Sequence, residues 1–218
     1  MGADIPKVFL RLSDADDTPS IIQRTVGIFA RDSRCEHIVV CVHSEWRSRF
    51  EEELQSFDNV VLIAGGGTRQ ESVRCGVEAL YGVVGAPNVA RCCVLIHDAA
   101  RCCVSSEVVQ RVIEGVYAHG AVTAAVPVPD TLSKIHDGVV RSFVDRESVW
   151  AIQTPQGFWL EELRSAHYAA QVDGFAAFDD ASIVSRLREV RVVEGERFNI
   201  KVTHPSDLDV AARISNLG

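Results

Sequence analysis

Short runs of β-branched and other apolar residues recur along this chain and alternate with stretches whose apolar positions follow a helical spacing. Ile38 to Val42, Val60 to Ala64, Val94 to His97, Val122 to Val128 and Glu189 to Val193 read as strands. Ser20 to Arg31, Ser72 to Tyr81, Ser106 to Ala118 and Leu160 to Ala170 read as helices. The alternation predicts an α/β fold, a mostly parallel twisted sheet with helices on both faces. One polar stretch, Asp130 to Asp145, departs from it. There Asp137 and Gly138 separate Leu132 to Ile135 from Val139 to Val144, which predicts a β-hairpin arm at 130–146 protruding from a single domain over 1–218. Such an arm suits association.

Composition narrows the class. With 218 residues, 47% of them hydrophobic, the chain can bury one sizeable core. No apolar run approaches the roughly 20 residues that span a bilayer, and the start, MGADIPK, lacks the basic and apolar regions of a signal peptide, so a cytoplasmic protein is expected. A net charge of −8 argues against a surface that coats nucleic acid, so any phosphate site must be a local cluster of bases and the substrate small. The seven cysteines include the neighbouring pairs Cys92, Cys93 and Cys102, Cys103, with no CxxC spacing for zinc or redox work. They read as reduced thiols, several acting as small hydrophobes.

The candidate chemistry begins where the run Val94, Leu95, Ile96, His97 ends in Asp98, Ala99, Ala100 and Arg101. In an open α/β sheet ligands bind beyond the carboxyl ends of the strands. Asp98 could hold a hydrated divalent cation there and Arg101 a phosphate, and the alanines would let a ligand approach the backbone. A plain surface ion pair fits the same spacing. A second feature, Gly65 to Gly67 followed by Thr68, Arg69, Gln70, Glu71 and Ser72, follows a strand and opens a helix, with Thr68 and Glu71 at capping-box spacing. Glycines admit a ligand and helix-start amides favour negative charge, although a capped glycine turn is also ordinary architecture. Neither GxGxxG nor GxxxxGK[ST] is present, which argues against a nicotinamide dehydrogenase and a P-loop NTPase. His97 beside Asp98 reads as a packed supporting group rather than a base.

Further groups place bases or hydroxyls near strand ends. In order, the blocks are IPK, GGGTRQESV, HDAAR, PVPDT, DRESVWAIQTPQGF, DDAS and EGERFNIKVTHPSDL. Together they resemble the 2-C-methyl-D-erythritol 4-phosphate cytidylyltransferases, from Met1 to about Ile214. The resemblance implies a Rossmann-like nucleotidyltransferase fold, a homodimer, magnesium, CTP and a methylerythritol phosphate as substrates, and a place in the non-mevalonate isoprenoid pathway. By the same resemblance Lys7 matches a lysine that stabilises the charged transition state. Gly66, Gly67 and Ser72 match the loop that receives the cytidine. Asp98 matches the residue of the ribose and metal region, and Arg101 lies in the same signature. Thr131, Arg146 and Thr154 match positions that hold the acceptor, with Thr131 and Arg146 reaching the neighbouring subunit's site. Lys201 matches a lysine that orients the acceptor and touches CTP. The chemistry asks for such residues, because joining two phosphates in line needs positioning and neutralisation by Lys, Arg and Mg²⁺ and no covalent protein nucleophile.

Departures from the family pattern set further expectations. Family members open with an apolar strand and a glycine-rich loop ending in arginine and methionine, and this chain matches from that methionine onward. The implied central strand is therefore missing, so the strands near Ile38 to Val42 and Val94 to His97 are expected to present unpaired backbone groups, each costing about 1–3 kcal/mol if unsatisfied. We expect the true start to lie upstream. Cys102 stands where the family has proline, Ser133 and Lys134 shift an expected lysine, and Phe178 replaces a substrate-contacting threonine. A phenyl ring makes no ordinary hydrogen bond. Two alternatives remain: transfer to another polyol phosphate such as ribitol 5-phosphate, or an inactive nucleotide-binding or dimerisation protein.

Overall fold

The computed structural model describes residues 5–13, 15 and 17–215. Met1, matched above to the methionine that closes the family's loop, lies outside them. Helix α1 (Ile21–Ala30) starts at Ser20, whose side chain accepts from Gln23 N while Gln23 returns a bond to the Ser20 amide. It leads to β1 (Ile38–Val42), α2 (Arg47–Leu54) and β2 (Val60–Ala64), and β1 and β2 pair in parallel. Sequence periodicity misses α2 because its surface is charged. Only Phe50, Glu53 and Leu54 turn inward there, while Arg47–Glu51 and Arg49–Glu52 pairs line the outside.

A second sheet carries the middle of the molecule. Helix α3 (Arg69–Val84) precedes β3 (Cys93–Ile96), and α4 (Ser106–His119) precedes β4 (Ala121–Pro127). The hairpin β5 (Ser133–His136) and β6 (Val139–Phe143) then leads into β7 (Trp150–Trp159), followed by α5 (Leu160–Val172), α6 (Asp180–Val184), β8 (Arg191–Glu194) and α7 (Pro205–Ser215). The strand order is β3-β7-β4-β8, with β7 antiparallel to β3 and β4, and β8 parallel to β4. The mostly parallel expectation is thus corrected to a mixed sheet. Strand β7, with Pro155 and Gly157 inside it, carries composition that argues against a central strand. It forms because Gln153 to Phe158 are all buried between β3 and β4.

Alternate residues feed two cores. Val94, Ala121 and Phe158 pack with Leu160, Leu163 and Ile183, whereas Leu95, Val122 and Ala124 pack with Val108, Val112 and Val116 of α4. The predicted arm is present as β5–β6, turning at Asp137 (φ 51°) and Gly138 (φ 74°), the left-handed pair that a tight hairpin requires. Its side chains Ile135, Val140 and Phe143 are exposed.

The expected unpaired edges are found. Strand β1 pairs only with β2 and β3 only with β7, so the described strands form separate sheets. A cavity of about 950 Å³ lies between them, lined by Val39, Leu95 and Ile96 of the strands and by Val26, Val77 and Ile113 of the flanking helices. Among the described residues no helix is long and apolar enough to cross a membrane. All seven cysteines carry free thiols.

Candidate active site

The carboxyl end of β3 is built as expected, but its hydrogen bonding makes it a closed circuit. Asp98 N donates to Thr154 Oγ1 at 3.0 Å, Thr154 Oγ1 lies 3.1 Å from His97 Nδ1, and His97 Nε2 lies 3.0 Å from the Arg101 carbonyl oxygen. The Arg101 carbonyl requires a proton on Nε2, and in the neutral imidazole that carries it the Thr154 hydroxyl donates to Nδ1. Burial supports this state, pushing the imidazole down to about 4. His97 is thus a half-buried brace, the packed supporting group that the sequence suggested.

Onto Asp98 converge three cations. Lys201 Nζ lies 2.9 Å from Oδ2, Arg101 Nε 3.7 Å from Oδ2 and Arg69 Nε 3.3 Å from Oδ1. Burial pushes the Asp98 carboxyl up, but Lys201, Arg69 and Arg101 outweigh it and hold it below the ordinary aspartate value. The local balance is positive in an acidic protein, the cluster of bases that a small anionic ligand needs.

Backbone stitching fixes these groups. Val202 N donates to the Ala100 carbonyl at 2.9 Å and Arg101 Nη1 to the Asn199 carbonyl at 2.7 Å, tying the Lys201 segment to the β3 end. Gln153 binds both backbone groups of Glu196, and Asn199 Nδ2 donates to the Thr154 carbonyl at 2.8 Å. Arg101 is only 13% exposed at its side chain and already engaged, so it braces Lys201 as well as flanking Asp98. Lys201, at 41%, is the more accessible cation.

The glycine turn lies alongside, joined to Asp98 by Arg69, the first residue of α3. Thr68 and Glu71 form the predicted capping box, Glu71 N donating to Thr68 Oγ1 and Thr68 N to Glu71 Oε2, each at 3.1 Å. Ser72 Oγ closes the turn, accepting from Gly66 N at 3.1 Å. At Gly66 a side chain is excluded: a Cβ would lie 2.3 Å from Glu71 Cβ and 3.0 Å from the Glu71 carbonyl carbon. Gly67 is open on all sides but that of Glu71 Oε2.

The remaining predicted residues make no side-chain bond to Asp98, Arg69, Arg101 or Lys201 among the described residues. Lys7 heads a short 3-10 turn, Lys7–Phe9, whose Phe9 packs on Trp46 and Phe50, and Lys7 has no ion pair among the described residues. Thr131 and Arg146 are exposed at the foot of the arm, where Arg146 Nη1 donates to the Pro129 carbonyl at 3.4 Å. Phe178 is 96% exposed, just before the α6 cap Asp179. Cys102, at the family's proline position, is fully buried beside Ile21 and Val202.

Two residues escape the sequence reading. Arg69 and Asp180 sit inside the blocks GGGTRQESV and DDAS, yet neither stands out there, because an Arg after a capping Thr and an Asp opening a helix look like routine helix starts. Their ion pair, with Arg69 Nη1 2.9 Å from Asp180 Oδ2, links blocks 111 positions apart (180 minus 69) that no local pattern connects.

Comparison with known proteins follows the same lines. The family model "IspD: 2-C-methyl-D-erythritol 4-phosphate cytidylyltransferase" matches residues 1–216. A 2-C-methyl-D-erythritol 4-phosphate cytidylyltransferase of Bacillus cereus is 40% identical over 215 residues, covering 97% of this chain and 90% of that protein. One of Geobacillus kaustophilus is 39% identical over 218 residues, covering 98% and 90%. Among solved structures, a 4-diphosphocytidyl-2C-methyl-D-erythritol synthase superposes with a TM-score of 0.83 at 31% identity, covering 96% of this chain and 95% of that one. The Thermus thermophilus cytidylyltransferase gives 0.80 at 34%, covering 97% and 94%. With its Rossmann-like mixed sheet, its Asp98 cluster and these matches, the chain belongs to the 2-C-methyl-D-erythritol 4-phosphate cytidylyltransferase (IspD) family of nucleotidyltransferases.

Proposed function

We propose that this site transfers the cytidylyl group of CTP to 2-C-methyl-D-erythritol 4-phosphate in non-mevalonate isoprenoid biosynthesis, giving 4-diphosphocytidyl-2-C-methyl-D-erythritol and pyrophosphate. The observation that carries the reading is the convergence of Lys201, Arg101 and Arg69 on Asp98 beside the Gly65–Gly67 turn. An oxygen of the acceptor phosphate attacks the α-phosphorus of CTP. The bond from that phosphorus to the oxygen bridging the β-phosphate breaks, and its electron pair leaves with pyrophosphate. Such a transfer needs the two phosphates held in line and their charge neutralised.

Each residue then has a task. Gly66 and Gly67 admit the cytidine to the backbone of the turn, and Ser72 keeps the turn closed. Lys201 moves between Asp98 and the reacting phosphates, for which its exposure suits it, while Lys7 supplies a second charge at the α-phosphate. Arg101 holds the Lys201 segment. Thr154 orients Asp98 through its amide and lies at the acceptor side.

The donor set accommodates a divalent cation only with the nucleotide's help. Among the described residues no group of three or more His, Cys, Asp or Glu side chains is arranged to hold a metal, so Asp98 is the carboxylate that would meet it beside the cations. Magnesium accepts that arrangement, taking one or two carboxylates and filling its shell with substrate phosphates and water. When bound, Mg²⁺ supplies charge neutralisation at the triphosphate.

The arm supports a homodimer. Ile135, Val140 and Phe143 leave an apolar hairpin exposed, and a second subunit covering it would receive Thr131 and Arg146 at its acceptor site. A cytoplasmic location belongs to the same reading, supported by seven free thiols of the kind a reducing compartment maintains. Phe178 favours a second reading, transfer to a different polyol phosphate such as ribitol 5-phosphate. Its ring offers the acceptor no hydrogen bond where the family has threonine.

Phosphorus NMR of the chain with CTP, Mg²⁺ and methylerythritol phosphate tests the transfer. Coupled diphosphate-diester resonances should grow in step with pyrophosphate. Pyrophosphate without the diester, or neither product, would overturn the reading.

A further inference from the structure

Of the three cations on Asp98, Arg69 differs from the others in reaching a second carboxylate among the described residues. Its Nε lies 3.3 Å from Asp98 Oδ1 and its Nη1 lies 2.9 Å from Asp180 Oδ2, so one planar guanidinium spans two carboxylates. Asp180 is wholly buried, and its other oxygen lies 3.0 Å from Nε2 of His167, itself only 2% exposed. A buried carboxylate is retained only where opposite charge or donors compensate it, and here Arg69 and His167 do so. Burial pushes the Arg69 guanidinium down, but Asp180 and Asp98 outweigh it and hold it above its ordinary value.

The neighbouring side chain reinforces the link. Gln70 Nε2 donates to the Phe175 carbonyl and Gln70 Oε1 accepts from Ala177 N, each at 3.0 Å. From β7, Gln156 holds the opposite side of the α6 cap, donating to Asp179 Oδ2 at 2.8 Å and accepting from Ala181 N at 2.9 Å. Asp180 therefore stands on a fixed base, and Arg69 reaches from it to Asp98 across the mouth of the glycine turn.

We propose that Arg69 and Asp180 are positioning residues for the transfer, with Asp180 holding Arg69 so that Arg69 keeps Asp98 oriented while Lys201 turns to the phosphates. The division of labour follows from the anchors. Lys201 is half-exposed and tied to Asp98 alone among these carboxylates, so a nucleotide can draw it away. Arg69 is held at its far end by a carboxylate that no ligand reaches. Asp98 then keeps one cation on Oδ1 throughout. This inference rests on the cytidylyl-transfer reading.

The test is chemical rescue. Arg69 is 36% exposed, so its truncation opens a solvent-reachable gap between two carboxylates that free guanidinium ion fits. Arg69→Ala should lower kcat/KM for CTP by about a hundredfold, the scale of losing one preorganised charged donor. Guanidinium chloride at sub-denaturing concentration should restore about tenfold of it with saturation, and methylammonium should not, because it lacks the fork. In Arg69→Ala/Asp180→Asn the rescue should vanish, because the ion has lost one of its two partners.

Activity of Arg69→Ala within about threefold of wild type, or equal stimulation of the double variant, would overturn the inference. Should Arg69→Ala not fold, Arg69→Lys decides. A single ammonium serves one carboxylate at a time, so kcat/KM should fall about tenfold with no response to guanidinium, and wild-type activity would overturn the proposal. An inactive wild-type chain would instead defeat the transfer reading itself.

Discussion

Thr154 holds Asp98 by its backbone: the Thr154 hydroxyl accepts from the Asp98 amide at 3.0 Å and lies 3.1 Å from His97 Nδ1. The side chain that meets the cations is thereby aimed from below. Thr154 is only 5% exposed, so a hydrophobic replacement would leave the Asp98 amide without an acceptor in a dry site. Thr154→Val should cost about 1–3 kcal/mol of stability, measured by urea unfolding, while Thr154→Ser stays near wild type. A Thr154→Val variant near wild type beside a destabilised Thr154→Ser would show that the methyl packing, not the hydroxyl, matters.

His97 sets a pH dependence. Its folded value is depressed to about 4 by burial, below its ordinary 6.5, so its contribution is full above pH 6.5 and is lost as the pH falls toward 4. Thermal midpoints should decline across that window, with a slope of up to about 1.4 kcal/mol per pH unit from this group. In His97→Gln the slope between pH 6.5 and 4 should flatten. An unchanged slope would assign the dependence elsewhere.

Gly66 tests the turn. A Cβ there would meet Glu71 Cβ at 2.3 Å, and Glu71 cannot withdraw without releasing the capping box that begins α3. Gly66→Ala should destabilise by about 1–3 kcal/mol and weaken CTP binding in a calorimetric titration. Gly82, which has nothing within 4 Å of such a Cβ, is the control, and its alanine variant should bind CTP normally.

The split between β1 and β3 predicts an exchange pattern. Amides of β4, bonded on both sides by β7 and β8, should exchange slowest, and those of β1 facing the 950 Å³ cavity should exchange much faster. Hydrogen–deuterium exchange resolved by strand measures this. Equal protection in β1 and β4 would mean that the β1 edge is covered.

How much of this was legible in the sequence depends on the range of the signal. Strands β1 and β2 carry continuous apolar runs with the predicted bounds, and Asp137–Gly138 announced its hairpin, because both are local. Strand β7 was hidden because burial between two neighbours overrides its Pro155 and Gly157. Within the site, the Asp98, Gly66 and Lys201 blocks were readable as motifs, and the structure places Asp98 and Lys201 2.9 Å apart. Arg69–Asp180 was not readable, since the pair exists only once α3 and α6 meet. The sequence also offered Arg101 as an open phosphate grip, whereas its guanidinium faces the Asn199 carbonyl, a contact set by a loop 98 residues away.

The measurement that bears most directly on the account is pyrophosphate release by this chain from CTP and Mg²⁺, with methylerythritol phosphate and ribitol 5-phosphate compared as acceptors. The account predicts release that requires methylerythritol phosphate and falls about 10²- to 10³-fold in Lys201→Ala. Release that is independent of acceptor, confined to ribitol 5-phosphate, or unchanged in Lys201→Ala would contradict it.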